Sequence, residues 1–211
     1  MKKSEELFDV FDAKKNWLGV APRSEVHAKG LWHQTFQCWI VSLEEEEPKL
    51  LLQLRHPDKD LFPDLLDISS AGHLAAGETI EEGTRELEEE LGLSVAFEEL
   101  IPCGMFAEED LISDKLMDRE FCHVFIYRCD QPLRSYVLQP DEVSGLFAVT
   151  VSDFKQLISG DRVQIASSGF KRGENGEYVD VELPVSLKDV VPHPVAYFEL
   201  LFQKLDEQGW K

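Results

Sequence analysis

A chain of 211 residues, 43% of them hydrophobic, is long enough to bury one substantial core and short for two. Charged residues make up 29%, which excludes a disordered or fibrous composition. Against 21 Lys and Arg stand 41 Asp and Glu, a formal net charge of −20, so the surface repels nucleic-acid backbones and anionic lipid heads. An anionic small molecule would need a metal ion or a few placed cationic side chains to be held.

In chain order, Leu7 to Asp12 and Trp17 to Val20 read as two short strands around a turn at 13–16. Trp32 to Leu43 is aromatic and β-branched and reads as a longer strand, followed by the acidic hairpin tip Glu44–Glu47. Lys49 to Leu54, nearly all Leu, reads as a return strand buried on both faces. Pro57, Pro63 and several charges mark Arg55 to Asp67 as a loop, with a short strand near Ile68 beyond it. A helix is expected from about Thr79 to Leu91, with Gly92 past its end. Strands follow at Glu98 to Phe106, Glu120 to Arg128 and Gly145 to Val149, then a short helix capped by Ser152 and ending near Ser159.

The last fifty residues read as a hairpin turning at Asn175-Gly176 and a helix from about Pro194 to Leu205. Gly169 to Gly173 has the look of a flexible basic loop that could close over a substrate, although such a segment is more often a plain hairpin turn. The last helix, with Tyr197, Phe198, Leu201, Phe202 and Leu205, is apolar on more than one side, so it packs on the core or against a second copy in a homodimer. Mixed strands with inserted helices imply an α/β/α sandwich on a mixed β-sheet. One domain over 1–211 is expected, with its core at about 30–160, N-terminal strands and a C-terminal hairpin-plus-helix extension. Cys38, Cys103, Cys122 and Cys129 form no C-x-x-C pair, and no apolar run is long enough to span a bilayer, so the expected location is cytoplasmic.

The informative segment runs from Gly72 through Gly77-Glu78 to Arg85-Glu86-Leu87-Glu88-Glu89-Glu90-Leu91-Gly92-Leu93. At 100° per residue, Glu86, Glu89 and Glu90 share roughly a 100° arc while Ile80, Thr84, Leu87 and Leu91 share another. Taken alone, a Glu-rich helix is a solvated face. Clustered like charges are mutually unfavourable, however, and a hard divalent cation with oxygen ligands would relieve them. The punctuation resembles the Nudix box, G-x5-E-x7-R-E-U-x-E-E-x-G-U with U aliphatic: Gly72, Glu78, Arg85, Glu86, Leu87, Glu89, Glu90, Gly92 and Leu93 fill it in order. One spacing departs, because six residues rather than seven separate Glu78 from Arg85.

That resemblance implies a Nudix-type hydrolase that cleaves a diphosphate linkage in a small metabolite, such as a nucleoside diphosphate derivative. The implied cofactor is Mg2+, with Mn2+ as an alternative. Glu86, Glu90 and Glu89 would be metal ligands, Glu89 alternatively a base, and Arg85 would orient the carboxylates or meet a phosphate. About half the chain, Leu18 to Phe125, also resembles the isopentenyl-diphosphate isomerases, a Nudix branch. By that likeness His27, His33, His73, Asp118 and Glu120 match a metal set, Glu120 matches a catalytic acid, and Arg23, Arg55 and Lys59 match diphosphate-gripping residues. Each has a plainer reading: a packed His beside Trp32, loop residues that aid solubility, a surface Glu. The isomerase cysteine before Gly72 is replaced by Ala71, which has no ionisable group, so hydrolysis is favoured over isomerisation. A non-catalytic domain that senses a diphosphate ligand is the third alternative.

Overall fold

The computed structural model describes residues 5–113, 116–173 and 175–211. Strands β1 (Leu7–Phe11) and β2 (Trp17–Pro22) form a small antiparallel pair, and helix α1 (Arg23–Lys29) follows. The main sheet takes β3 (His33–Ser42), β4 (Lys49–Arg55), β5 (Leu66–Asp67) and β6 (Ser70–His73), with helix α2 (Arg85–Leu91) next in the chain. Its remaining strands are β7 (Ile101–Ser113), β8 (Leu116–Arg128), β9 (Val143–Thr150), β10 (Ile165–Arg172) and β11 (Tyr178–Val185). Helix α3 (Val151–Ser159) lies between β9 and β10, and α4 (Val195–Glu207) follows β11. The sheet runs β11-β10-β9-β4-β3-β8-β7, with β5 beside β4 and β6 beside β3. Its β3–β8 pair is parallel while its other pairs are antiparallel, so the sheet is mixed.

Period-two alternation sends side chains to two separate cores. Trp39 and Val41 of β3, Leu50 and Leu52 of β4, and Val124 and Ile126 of β8 pack with Phe154 of α3 and Tyr197, Phe198, Leu201 and Leu205 of α4. Cys38 and Ile40, Leu51 and Phe125 point the other way and pack with Leu87 and Leu91 of α2. Helices on both faces of a mixed sheet make the expected α/β/α sandwich. They also explain the run of leucines in β4, since both of its faces are covered. No described helix is long and apolar enough to cross a membrane.

Several local expectations are corrected. The helix expected from Thr79 begins only at Arg85, after a 3-10 turn at Glu82–Thr84. Thr79 instead engages Glu82, whose Oε2 accepts from its backbone N–H at 2.8 Å, and Gly83 lies flat on Phe36 and Leu74 where a Cβ would not fit. Thr150, not Ser152, caps α3 by accepting from the Asp153 N–H at 3.1 Å. The basic loop expected at Gly169–Gly173 is mostly strand: Gly169 pairs with Phe147 of β9, and a side chain there would strike the Leu146 carbonyl. Glycine serves close backbone approach there rather than mobility. The strand expected at Glu98 starts at Ile101 and runs on to Ser113. Helix α1, entered at Pro22 and closed by Gly30 at φ 58°, was not among the expected elements.

Candidate active site

Two chemical groups meet in one cleft of about 600 Å³, bounded by β6, α2, the β7–β8 ladder and the 56–65 loop. The first is built by α2. Gly72 on β6 lies directly beneath the Glu86 carboxylate, and any Cβ there would occupy its space. Glu86 is 8% exposed and Glu90 4%, so the helix buries two acids instead of solvating them. Glu90 accepts from the Ala71 N–H at 3.0 Å and from Gln53 at 3.4 Å. Glu89 remains more than half exposed.

Arg85 braces this group. Its guanidinium meets Glu78 at 2.5 Å, Glu86 at 2.6 Å and Glu89 at 3.1 Å, and donates to the His73 carbonyl at 2.9 Å. Glu78 is thus tied to Arg85, and it also accepts from the Ala75 N–H at 2.7 Å. The shortened spacing to Arg85 therefore leaves Glu78 a local partner. Burial, followed by repulsion from Glu90, lifts the Glu86 carboxyl to about 8. Burial also lifts Glu90 to about 7, against the pull of Lys59 and the Ala71 N–H. Carboxylates so strained by desolvation are groups that a cation relieves.

The second group follows from strand register. Parallel pairing sets His33 of β3 beside Glu120 of β8, and antiparallel pairing sets Glu120 opposite Glu108 and Asp118 opposite Asp110. His27 arrives from α1 and His73 from the end of β6. Phe8 of β1 stacks on His33 and His73 with centroids at 5.5 and 4.8 Å. The His33 Nε2 lies 3.8 Å from both Asp118 and Glu120, and the His73 Nε2 3.5 Å from Glu120. These gaps exceed hydrogen-bond length. The Nε2 atoms of His27, His33 and His73 and Oδ1 of Asp118 are buried without partners.

Burial holds all three imidazoles below their usual range, so they are neutral lone-pair donors at pH 7. The His33 Nδ1 lies 3.0 Å from the Leu31 carbonyl; an N–H donated there fixes the tautomer that turns Nε2 to the cluster. Orphaned imidazole nitrogens gathered with carboxylates are the donor set a divalent metal takes. Two overlapping sets, His27-His33-His73 and His33-Asp118-Glu120, bring their ligand atoms within 4.8 Å of one another. Glu120 accepts from Thr35 at 3.2 Å, and burial with Asp118 beside it raises its carboxyl.

The three cations from the sequence line the same cleft. Arg23 pairs with Glu6 at 2.9 Å and Arg55 with Asp67 at 2.7 Å, while Lys59 meets Glu142. Of the twelve site residues named from the sequence, eleven (Arg85, Glu86, Glu89, Glu90, Glu120, Asp118, His27, His73, Arg23, Arg55 and Lys59) line this one cavity, and His33 lies buried beside it, grouped with Asp118 and Glu120. Sequence reasoning missed Asp67, Glu108, Asp110 and His193, which also line it. Alternating acids along the 108–120 stretch and a His between two prolines were the available signals.

The model of the NUDIX domain matches residues 33–167. A Clostridium acetobutylicum protein named an uncharacterized Nudix hydrolase is 40% identical over 95% of this chain and 97% of its own length. Nudix hydrolase 3 of Arabidopsis thaliana is 39% identical over 74% of this chain, but the match spans only 21% of that protein. Isopentenyl-diphosphate Delta-isomerase 2 of Photorhabdus laumondii is similar at 28% identity, over 84% of this chain and 96% of its own. Among solved structures, a Deinococcus radiodurans protein superposes with a TM-score of 0.56 at 24% identity, covering 74% of this chain and 90% of that one. That likeness speaks to the fold alone. The chain belongs to the Nudix family and is a Nudix hydrolase.

Proposed function

We propose that this enzyme is a magnesium-dependent pyrophosphohydrolase that cleaves the diphosphate linkage of a nucleoside diphosphate derivative or related small metabolite, with Mn2+ as an alternative ion. The observation that carries this reading is the pair of buried acids, Glu86 and Glu90, in a cleft that also holds Arg23, Arg55 and Lys59. Acids alone would repel a diphosphate. A divalent ion held there would supply neutralisation of the charge that develops on the phosphoryl oxygens during water attack. Glu86 and Glu90 would hold that ion, with Glu89 as a further ligand or as the base that takes the water's proton.

Arg85 keeps Glu86 and Glu89 apart from each other's charge and in fixed orientation. His27, His33, His73, Asp118 and Glu120 would hold a second ion, with Glu120 an alternative proton acceptor. Arg23, Arg55 and Lys59 would meet the phosphate oxygens by charge-assisted hydrogen bonds. The N-terminal strands and the C-terminal segment belong to the same catalytic unit, since Phe8 and His193 both reach the site. We place the enzyme in the cytoplasm, in keeping with the free thiols Cys38, Cys103, Cys122 and Cys129.

The test is phosphate release over a panel of nucleotide sugars, dinucleotides and nucleoside diphosphates. Metal-dependent turnover by the native chain and its loss in Glu90→Gln support the reading. Tight binding without release would favour a ligand sensor instead. Isomerisation is the second reading, prompted by the His-carboxylate cluster around Glu120, but Ala71 leaves no proton-transferring group at the isomerase cysteine position.

A further inference from the structure

His193 stands between Pro192 and Pro194, immediately before α4. Proline fixes its own φ and pushes the preceding residue toward extended backbone, so this stretch is stiff. It is also anchored: the Val191 N–H donates to the Leu66 carbonyl at 2.8 Å. The imidazole stacks on Tyr197 with centroids 4.6 Å apart, and the Tyr197 hydroxyl accepts from Trp39 at 3.1 Å. Two buried carboxylates flank the ring. Nδ1 lies 3.0 Å from the Glu108 Oε1, and Nε2 lies 3.4 Å from the Asp67 Oδ1.

Asp67 and Glu108 are each 5% exposed, so neither can draw on solvent for compensation. The other oxygen of Asp67 accepts from the Arg55 Nη1 at 2.7 Å, and Arg55 donates twice more to the Leu61 carbonyl, at 3.2 and 2.9 Å. A continuous line thus runs Glu108–His193–Asp67–Arg55–Leu61. Two carboxylates are balanced by one imidazolium and one guanidinium. Burial works against charge on His193, yet the hydrogen bonds to Asp67 and Glu108 outweigh it and raise the ring to about 10. Arg55 has five N–H groups and uses three in these bonds, which leaves two for a ligand in the cleft.

We propose that His193 is a positioning residue of the diphosphate-binding wall: delivered by the C-terminal segment, it holds Asp67 and, through Asp67, sets the Arg55 guanidinium for an anionic ligand. This rests on the reading of Arg55 as a diphosphate contact. Without the imidazolium, Arg55 is the one cation left in this line for two buried acids, and its guanidinium is drawn further toward them and away from the ligand.

The test is a calorimetric titration of methylenediphosphonate, at saturating Mg2+, into the native chain, His193→Leu, His193→Asn, Arg55→Ala and the His193→Leu/Arg55→Ala double variant. His193→Leu should weaken binding about tenfold or more. His193→Asn should recover part of the loss, because its amide still donates toward Glu108. In the Arg55→Ala background His193→Leu should have little further effect, which a merely structural role would not produce. Should His193→Leu fail to fold, His193→Asn alone and with Arg55→Ala completes the same cycle. Native-like binding by a folded His193→Leu, losses that add fully, or no binding by the native chain would each overturn the proposal. Turnover is scored separately: a native chain that binds the phosphonate yet hydrolyses no substrate refutes the hydrolase reading while the positioning test stands.

Discussion

Glu86→Gln should make the metal-free protein more stable while removing its response to metal. Gln keeps the shape of Glu but carries no charge. Burial and the neighbouring Glu90 lift the Glu86 carboxyl from 4.5 to about 8, and at about 1.4 kcal/mol for each tenfold change full ionisation of the native protein costs on the order of 5 kcal/mol. That shift already includes the pull of Arg85, 2.6 Å from the Glu86 Oε1, but a Gln amide offers the guanidinium only one accepting oxygen and turns an NH2 toward the site, which gives back part of the gain. A net gain on the order of 2 kcal/mol at pH 8 remains, which for a chain of this size is roughly 4–8 °C in Tm. Thermal unfolding in EDTA and in millimolar Mg2+ measures both effects. The native chain should gain Tm with Mg2+, and the variant should start higher and gain little. A lower Tm in EDTA, or an undiminished Mg2+ response, would refute the argument that Glu86 is a destabilised ligand.

Because the Glu86 and Glu90 pKa values are raised to about 8 and about 7, the native state keeps protons that the unfolded chain releases near 4.5. Their contribution is therefore lost as pH rises through 7 to 8, and EDTA-treated protein should melt progressively lower from pH 6.5 to 8.5 while Mg2+ flattens the slope. Stabilisation by His193, raised to about 10, fades as pH climbs toward that value and adds to the same decline; a Tm that rises with pH in EDTA would contradict both. Gly72→Ala should displace the Glu86 carboxylate and weaken Mn2+ binding, followed by electron paramagnetic resonance, at least tenfold. Ala71→Cys alone should yield no robust isomerisation of isopentenyl diphosphate, on the expectation that pocket residues outside the matched positions would differ; a strong gain, read by product analysis, would favour the isomerase reading.

Much of the fold was legible because its strands obey period two and its caps fall at Gly and Pro. The leucine run of β4 announced a sheet covered on both faces, and the two cores bear this out. Helix α1 was harder to read, because its seven residues bury only Val26 and present no periodic stripe. The start of α2 falls later than the sequence suggests because Thr79 and Glu82 bond reciprocally as a helix opening would, yet the turn they open is 3-10 over Glu82–Thr84 and the α-helix begins only at Arg85.

At the site, a linear motif names residues on one helix, so Glu86 and Glu90 could be read directly. What a motif cannot convey is register. Glu108 meets Glu120 only because β7 pairs with β8 in one particular alignment, and His193 reaches Asp67 across 126 positions of chain. Sequence spacing carries no trace of such distances. The departure at Glu78 likewise became intelligible only in space, where its carboxylate grips Arg85.

The most direct test is a crystal soaked with Mn2+ and methylenediphosphonate, read by anomalous scattering. The account predicts a manganese peak in contact with the carboxylates of Glu86 and Glu90 and with a phosphonate oxygen. A cleft free of anomalous signal at those carboxylates, with the phosphonate absent or bound elsewhere, would contradict it.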